Sequence, residues 1–167
     1  MLNILKIQNP ADLEILRKKC SYVAGFGEEL AAFSQAMIDT MLAPNAQGHP
    51  QGVGLAAPQV GQSLSMFVML ANPETSLDAI TIINPIVVES TDDNYLDLEG
   101  CLSIPGLLGR VRRFKEMKVT YFDVMGQQHE MALSGFPARV FQHEYDHLFG
   151  TLFIDRTTDL YVPRKTA

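Results

Sequence analysis

The chain has no tryptophan and only two cysteines, Cys20 and Cys101, among 167 residues. Two cysteines close at most one disulfide, which excludes a secreted scaffold built on disulfides. Long apolar runs are missing. No segment approaches the roughly 20 residues of a membrane-spanning helix. The opening Met1-Leu2-Asn3-Ile4-Leu5-Lys6 lacks the basic region and apolar stretch of a secretory signal. Positive charge is in short supply: 13 Lys and Arg stand against 19 Asp and Glu, a net of −6. That balance disfavours a general nucleic-acid or anionic-membrane binder and leaves only a local basic patch for docking on something large. Internal repeats and low-complexity tracts are absent as well. What remains is 47% apolar, enough to bury a core, at a length that suits one domain over 1–167. The expected compartment is the cytoplasm, with reduced thiols and no membrane partner.

The apolar pattern places helices at the two ends of the chain and strands between them. Asp12 to Lys19 follows the turn signal Asn9-Pro10 and reads as a helix. Glu28 to Leu42 reads as a longer amphipathic helix whose Leu30, Phe33, Met37 and Met41 recur at helical spacing and point to the core. Ser65 to Leu70, Ile80 to Val88, Val111 to Phe114, Met117 to Asp123 and Gln128 to Leu133 are short runs of strand formers broken by turns. Asn94 to Gly106 shows no regular period. A second strong helix runs from about Pro137 to Leu148, with Gly150 as its stop. This order predicts an α+β fold: short antiparallel sheets packed around that central helix, with helices at the amino-terminal end.

The second helix carries Gln142-His143-Glu144-Tyr145-Asp146-His147. Two histidines four apart lie on one helix face one turn apart, so both rings can reach one metal ion. Glu144 sits beside them, placed to move protons at a water rather than to ligate. Phe136 and Val140 project on the preceding turns and form an apolar wall or ordinary core. A catalytic metal site needs a third protein ligand. Phe153 stands where one class of zinc protease carries a third histidine, and no Glu follows Glu144. The third ligand therefore comes from upstream, where His49, His129, an acid, Cys20 and Cys101 are the candidates. Cys101 differs in lying within Glu99-Gly100-Cys101-Leu102-Ser103-Ile104-Pro105-Gly106, where Gly and Pro favour an irregular backbone. A thiolate ligand there suits softer metals such as iron(II), nickel or zinc. Gly52-Val53-Gly54-Leu55-Ala56-Ala57-Pro58-Gln59 mimics a dinucleotide fingerprint, but a Pro/Gly loop precedes it and Pro58 interrupts the helix that should follow. Its glycines let backbone come close to a substrate or another strand.

Taken together and in this order, the three segments resemble the signature of the peptide deformylase family. Gly52 to Gln59 matches Gly-x-Gly-Leu-Ala-Ala-x-Gln, Glu99 to Ser103 matches Glu-Gly-Cys-Leu-Ser, and Gln142 to Leu148 matches Gln-His-Glu-x-x-Asp-His-Leu. A looser resemblance runs from Ile4 to about Arg156. It implies a hydrolase that removes the formyl group from N-formylmethionine at the start of new chains and releases formate. By the same resemblance Cys101, His143 and His147 hold the metal, usually Fe2+, with Ni2+, Co2+ or Zn2+ as other occupants. Glu144 is then general base and general acid. The Gln59 amide and the Leu102 backbone N–H stabilise the oxyanion, and Gly54 binds substrate backbone. Val53, Leu102, Phe136 and Val140 shape the methionine pocket. Glu99, oriented by Arg113, supports a ligand histidine. The implied partners are N-formylmethionyl nascent peptides and, transiently, the ribosome. The long terminal helix by which some members dock there is lacking, so direct docking is not implied. Leu108, Arg110 and Arg112 depart from the common pattern, which leaves preference beyond methionine open. Two other classes fit parts of the pattern: a metal-dependent peptidase of the His-Glu-x-x-His type, and a non-catalytic ribosome-associated metal-binding module.

Overall fold

The computed structural model describes residues 1–45, 52–157 and 159–163. Two helices precede the strands, α1 (Pro10–Leu16) and α2 (Glu28–Leu42). Strands β1 (Gly54–Ala56), β2 (Met66–Leu70), β3 (Ala79–Ser90), β6 (Glu116–Phe122) and β7 (Gln128–Ser134) form a five-stranded antiparallel sheet in the order β1-β2-β3-β6-β7. Strands β4 (Asn94–Cys101), β5 (Ile104–Phe114) and β8 (Leu160–Tyr161) form a second sheet in the order β4-β5-β8, also antiparallel. Helix α3 (Gly135–His147) packs against strands of both sheets. The α+β class expected from the order of elements is the one observed.

Strand β2 shows how the sequence builds the core. Its five residues Met-Phe-Val-Met-Leu are all buried, so both of its faces are covered. Alternation sends Phe67 and Met69 into a cluster with Ile82, Val119, Leu133, Ala138 and Phe141, on the α3 side. Met66, Val68 and Leu70 enter a second cluster with Met37, Met41, Leu55 and Ile83, on the α2 side. The Phe67 and Phe141 rings meet edge to face at 5.3 Å, an arrangement their quadrupoles favour. Helix α3 is tied to the smaller sheet by Gln142. Its amide donates to Phe114 O at 2.9 Å and accepts from Phe114 N at 3.0 Å, continuing the strand's pairing through a side chain.

Three elements differ from expectation. Helix α1 begins at Pro10 and ends at Leu16 rather than running from Asp12 to Lys19, because the Asn9 side chain caps it by accepting from Ala11 N. The glycine-rich segment is an edge strand, β1, followed by a 3-10 turn over Ala57–Val60. Asn94 to Gly106 is largely strand, and β5 begins well before Val111. The alternation of β4 escapes notice because it is inverted. Glu99 is buried, while Leu96 and Leu98 are exposed. The inward face of this hairpin carries an ion pair: Glu99 and Arg113 stand where apolar residues would ordinarily signal a strand, and Arg139 reaches Glu99 from α3.

Candidate metal and substrate site

The first turn of α3 starts at Gly135 behind the N-cap Ser134, so Pro137 falls at the third helical position, where no helical N–H partner is lost. The helix then delivers His143, Glu144 and His147 to one side. Cys101 arrives at the end of β4, where the pairing register slips between Gly100 and Cys101. The ligating atoms of Cys101, His143 and His147 all lie within 4.8 Å of one another. Cys101 Sγ and His147 Nε2 are 3.4 Å apart, close to the edge of about 3.6 Å expected when both bind one tetrahedral ion. One sulfur and two imidazole nitrogens, all turned inward, fit a borderline-soft divalent metal. Of the upstream alternatives, Cys20 packs against the core near α3 and His129 pairs with Asp123 at 2.6 Å on the β6–β7 hairpin. Neither joins the cluster, and His49 lies outside the described residues.

A buried ion network stands behind the cluster. His143 Nδ1 lies 2.9 Å from Glu99 Oε2. With Nδ1–H donating to that carboxylate, Nε2 carries the lone pair that ligates. Arg113 grips Glu99 with two bonds, from Nε at 2.8 Å and Nη2 at 2.9 Å, and reaches Asp146 from Nη1 at 2.6 Å. Arg139, one turn before His143, adds a bond from Nη1 to Glu99 Oε1 at 2.7 Å. The same guanidinium donates to the Val111 and Tyr95 carbonyls and stacks on the Tyr95 ring at 4.4 Å. Asp146, in the same motif, binds Arg113 and Arg156.

Burial pushes the Glu99 carboxyl upward, but the hydrogen bonds from Arg113 and His143 and their charges outweigh it and hold the group well below the usual carboxylate range. Burial disfavours imidazolium at both histidines. At His143, bonding to Cys101 and Glu99 outweighs it and raises the pKa. At His147, burial and the charges of His143 and Arg113 combine to lower the pKa, keeping that ring neutral at pH 7. His147 Nδ1 has no partner among the described residues.

Glu144 is 4% exposed, and its Oε2 has no partner among the described residues. Burial pushes its carboxyl up to about 7, where it can both take and give a proton near neutral pH. The carboxylate lies directly over Gly54. A Cβ on residue 54 would approach Glu144 Cδ and Cγ to 2.8 Å, so only glycine leaves that space free. Gln59 accepts from Ala56 N at 2.8 Å, which turns its Nε2 toward Cys101 Sγ at 3.4 Å and Ser103 Oγ at 3.2 Å. The amino-terminal segment fixes this corner. Leu5 N donates to Gln59 O, Ile7 N to Ser103 O, and Lys6 Nζ to Leu102 O.

These groups open on a cleft of about 620 Å³. Val53, Gly54, Gln59, Cys101, Leu102, Phe136, Val140, His143 and Glu144 all line it, and His147 lies behind, 1% exposed. Phe136 is partly exposed at the rim and Val140 is buried, so the apolar wall on α3 has a wet and a dry end. Arg139, Lys6 and Ser103 were not singled out in the sequence. Arg139 sits four residues before His143, on the same helix face. That spacing is the signal that would have found it.

The chain matches the family described as polypeptide deformylase over residues 1–162. A relative named peptide deformylase from Thermotoga neapolitana is 44% identical over 142 residues, covering 85% of this chain and 80% of the relative. One named peptide deformylase 2 from Nostoc sp. is 37% identical over 162 residues, covering 93% and 86%. The crystal structure of peptide deformylase from Thermotoga maritima superposes with a TM-score of 0.83 at 39% identity, covering 95% of this chain and 99% of that one.

Proposed function

This chain belongs to the polypeptide deformylase family, and from that membership we propose how its residues carry the reaction. The enzyme is a metallohydrolase that removes the N-formyl group from nascent proteins. Cys101, His143 and His147 hold the ion, which we take to be Fe2+, with Ni2+, Co2+ or Zn2+ able to replace it. A thiolate among the ligands supports a soft, oxidation-sensitive site. When bound, the ion supplies a Lewis acid that makes water a competent nucleophile near neutral pH.

Glu144 takes the proton of the attacking water and passes it to the departing amine as the formyl C–N bond breaks. Formate and a free amino terminus are the products. Gln59 Nε2 and the Leu102 N–H donate to the formyl oxygen as it gains charge, each such donor being worth about 3 kcal/mol. Gly54 aligns the substrate backbone, and Val53, Leu102, Phe136 and Val140 receive the methionine side chain. Glu99, held by Arg113 and Arg139, keeps His143 in its ligating tautomer. We assign the reaction to the cytoplasm, with transient encounters at the ribosome. Action on nascent chains supports this, and among the described residues no helix is long and apolar enough to cross a membrane.

The observation that carries this reading is a nearly fully buried carboxylate, its Oε2 without a partner among the described residues, on the helix that also brings two histidines to a cysteine. The test is Glu144→Ala. Formate release from a formyl-methionyl peptide should fall by about 10²–10⁴-fold while bound metal stays at wild-type stoichiometry. Retained turnover would overturn the assignment. Cleavage of unformylated peptides at internal bonds would favour a peptidase instead.

A further inference from the structure

The outer face of the smaller sheet is exposed among the described residues and carries an uncommon mixture. Register sets Leu98 opposite Arg110, Leu96 opposite Arg112 and Asn94 opposite Phe114. Leu96 and Leu98 are 49% and 46% exposed, and Phe114 is exposed as well. Tyr161 of β8 pairs beside Leu108, and the Arg110 guanidinium lies 5.4 Å over its ring. Arg112 bonds the neutral Asn94, at 3.1 Å. Among the described residues neither Arg110 nor Arg112 has an ion-pair partner, in a chain whose net charge is −6. Contiguous exposed apolar side chains rimmed by charge mark an interaction surface.

This face continues the cleft. Leu98 and Leu108 line the cleft and are also the first residues of the exposed rows. Same-face neighbours along a strand step by about 6.8 Å, so the rows from Gly100/Leu108 to Asn94/Phe114 extend roughly 20 Å. That length accommodates about six residues of extended peptide.

We propose that the outer face of β4–β5 binds the stretch of substrate chain that follows the residues held in the cleft, and that it prefers apolar and acidic side chains there. Leu96, Leu98 and Phe114 supply the apolar contact, and Arg110 and Arg112 the charge. The proposal rests on the deformylase reading and deepens it from the first residue to the segment behind it.

The test uses the metal-loaded enzyme and three formyl-methionyl peptides. One is a tripeptide. The other two are ten residues long, identical through the third residue, and then rich in Leu and Glu or in Leu and Lys. The acidic decapeptide should show a kcat/KM about tenfold above the basic one at low salt, a difference that 0.5 M salt erodes. Arg110→Ser/Arg112→Ser should abolish the difference and leave tripeptide turnover unchanged, which also reports that the variant is folded. Anisotropy of labelled, unformylated decapeptides should show the same preference without catalysis. Equal handling of the two decapeptides, or a preference that survives in the variant, overturns the proposal. So does a dimer in sedimentation that the variant dissolves, which would give this face to a second copy. An inert tripeptide would instead refute the deformylase reading, and anisotropy would still decide this one.

Discussion

Gly54→Ala places one methyl group against the Glu144 carboxylate. The new Cβ would stand 2.8 Å from Glu144 Cδ and Cγ, against about 3.5–4.0 Å for carbon atoms in contact. The carboxylate must therefore shift by roughly 1 Å, out toward the cleft it lines or against the residues packed around it. Overpacking of this kind costs about 1–3 kcal/mol, and a displacement of that size at a catalytic group costs about 10²-fold in rate. Formate release should fall by that factor while metal content is unchanged, and the apo protein should melt several degrees lower. A double-mutant cycle isolates the cause. With Glu144→Ala in place the methyl has room, so the stability cost of Gly54→Ala should vanish, a coupling of about 1–2 kcal/mol. Turnover within threefold of wild type, or an unchanged cost in the Glu144→Ala background, would refute the argument that Gly54 is glycine to make way for Glu144.

Arg139→Met removes one of the two guanidinium groups on Glu99 and should destabilise the fold by about 3 kcal/mol and weaken metal retention, measured by chelator competition. Because Glu99 titrates below its unfolded value, its stabilisation is present above pH of about 4.3 and lost as pH falls below that. Urea unfolding between pH 3 and 6 should show the loss, and Glu99→Gln should flatten it. Burial pushes the Cys20 thiol up to about 11, leaving about one molecule in a thousand as thiolate at pH 8. Mass spectrometry after alkylation should find Cys20 nearly unlabelled throughout, and Cys101 labelled only after chelation. The iron-loaded enzyme should lose activity in air faster than the nickel-loaded one. Equal decay would count against a thiolate-ligated iron site.

The sequence by itself determined the elements that follow one period. Met37 and Met41 at helical spacing are both fully buried, and a strand of five unbroken apolar residues is covered on both faces. The same holds for α3, because a spacing of four residues makes His143 and His147 neighbours on any α-helix. Three short segments also marked one chemistry, since each carries residue types that ordinary packing does not require. The residues alone left several upstream candidates and the resemblance pointed to Cys101; the tertiary structure showed how a cysteine more than forty positions away meets those histidines, through pairing between strands. It also decided that β4 turns Glu99 inward and its leucines outward. Buried charge is tolerated only where each ion finds a partner, and the partners of Glu99 come from Arg113 and Arg139 on two other elements. That pairing depends on contacts distant in sequence, which a local hydrophobic pattern does not encode.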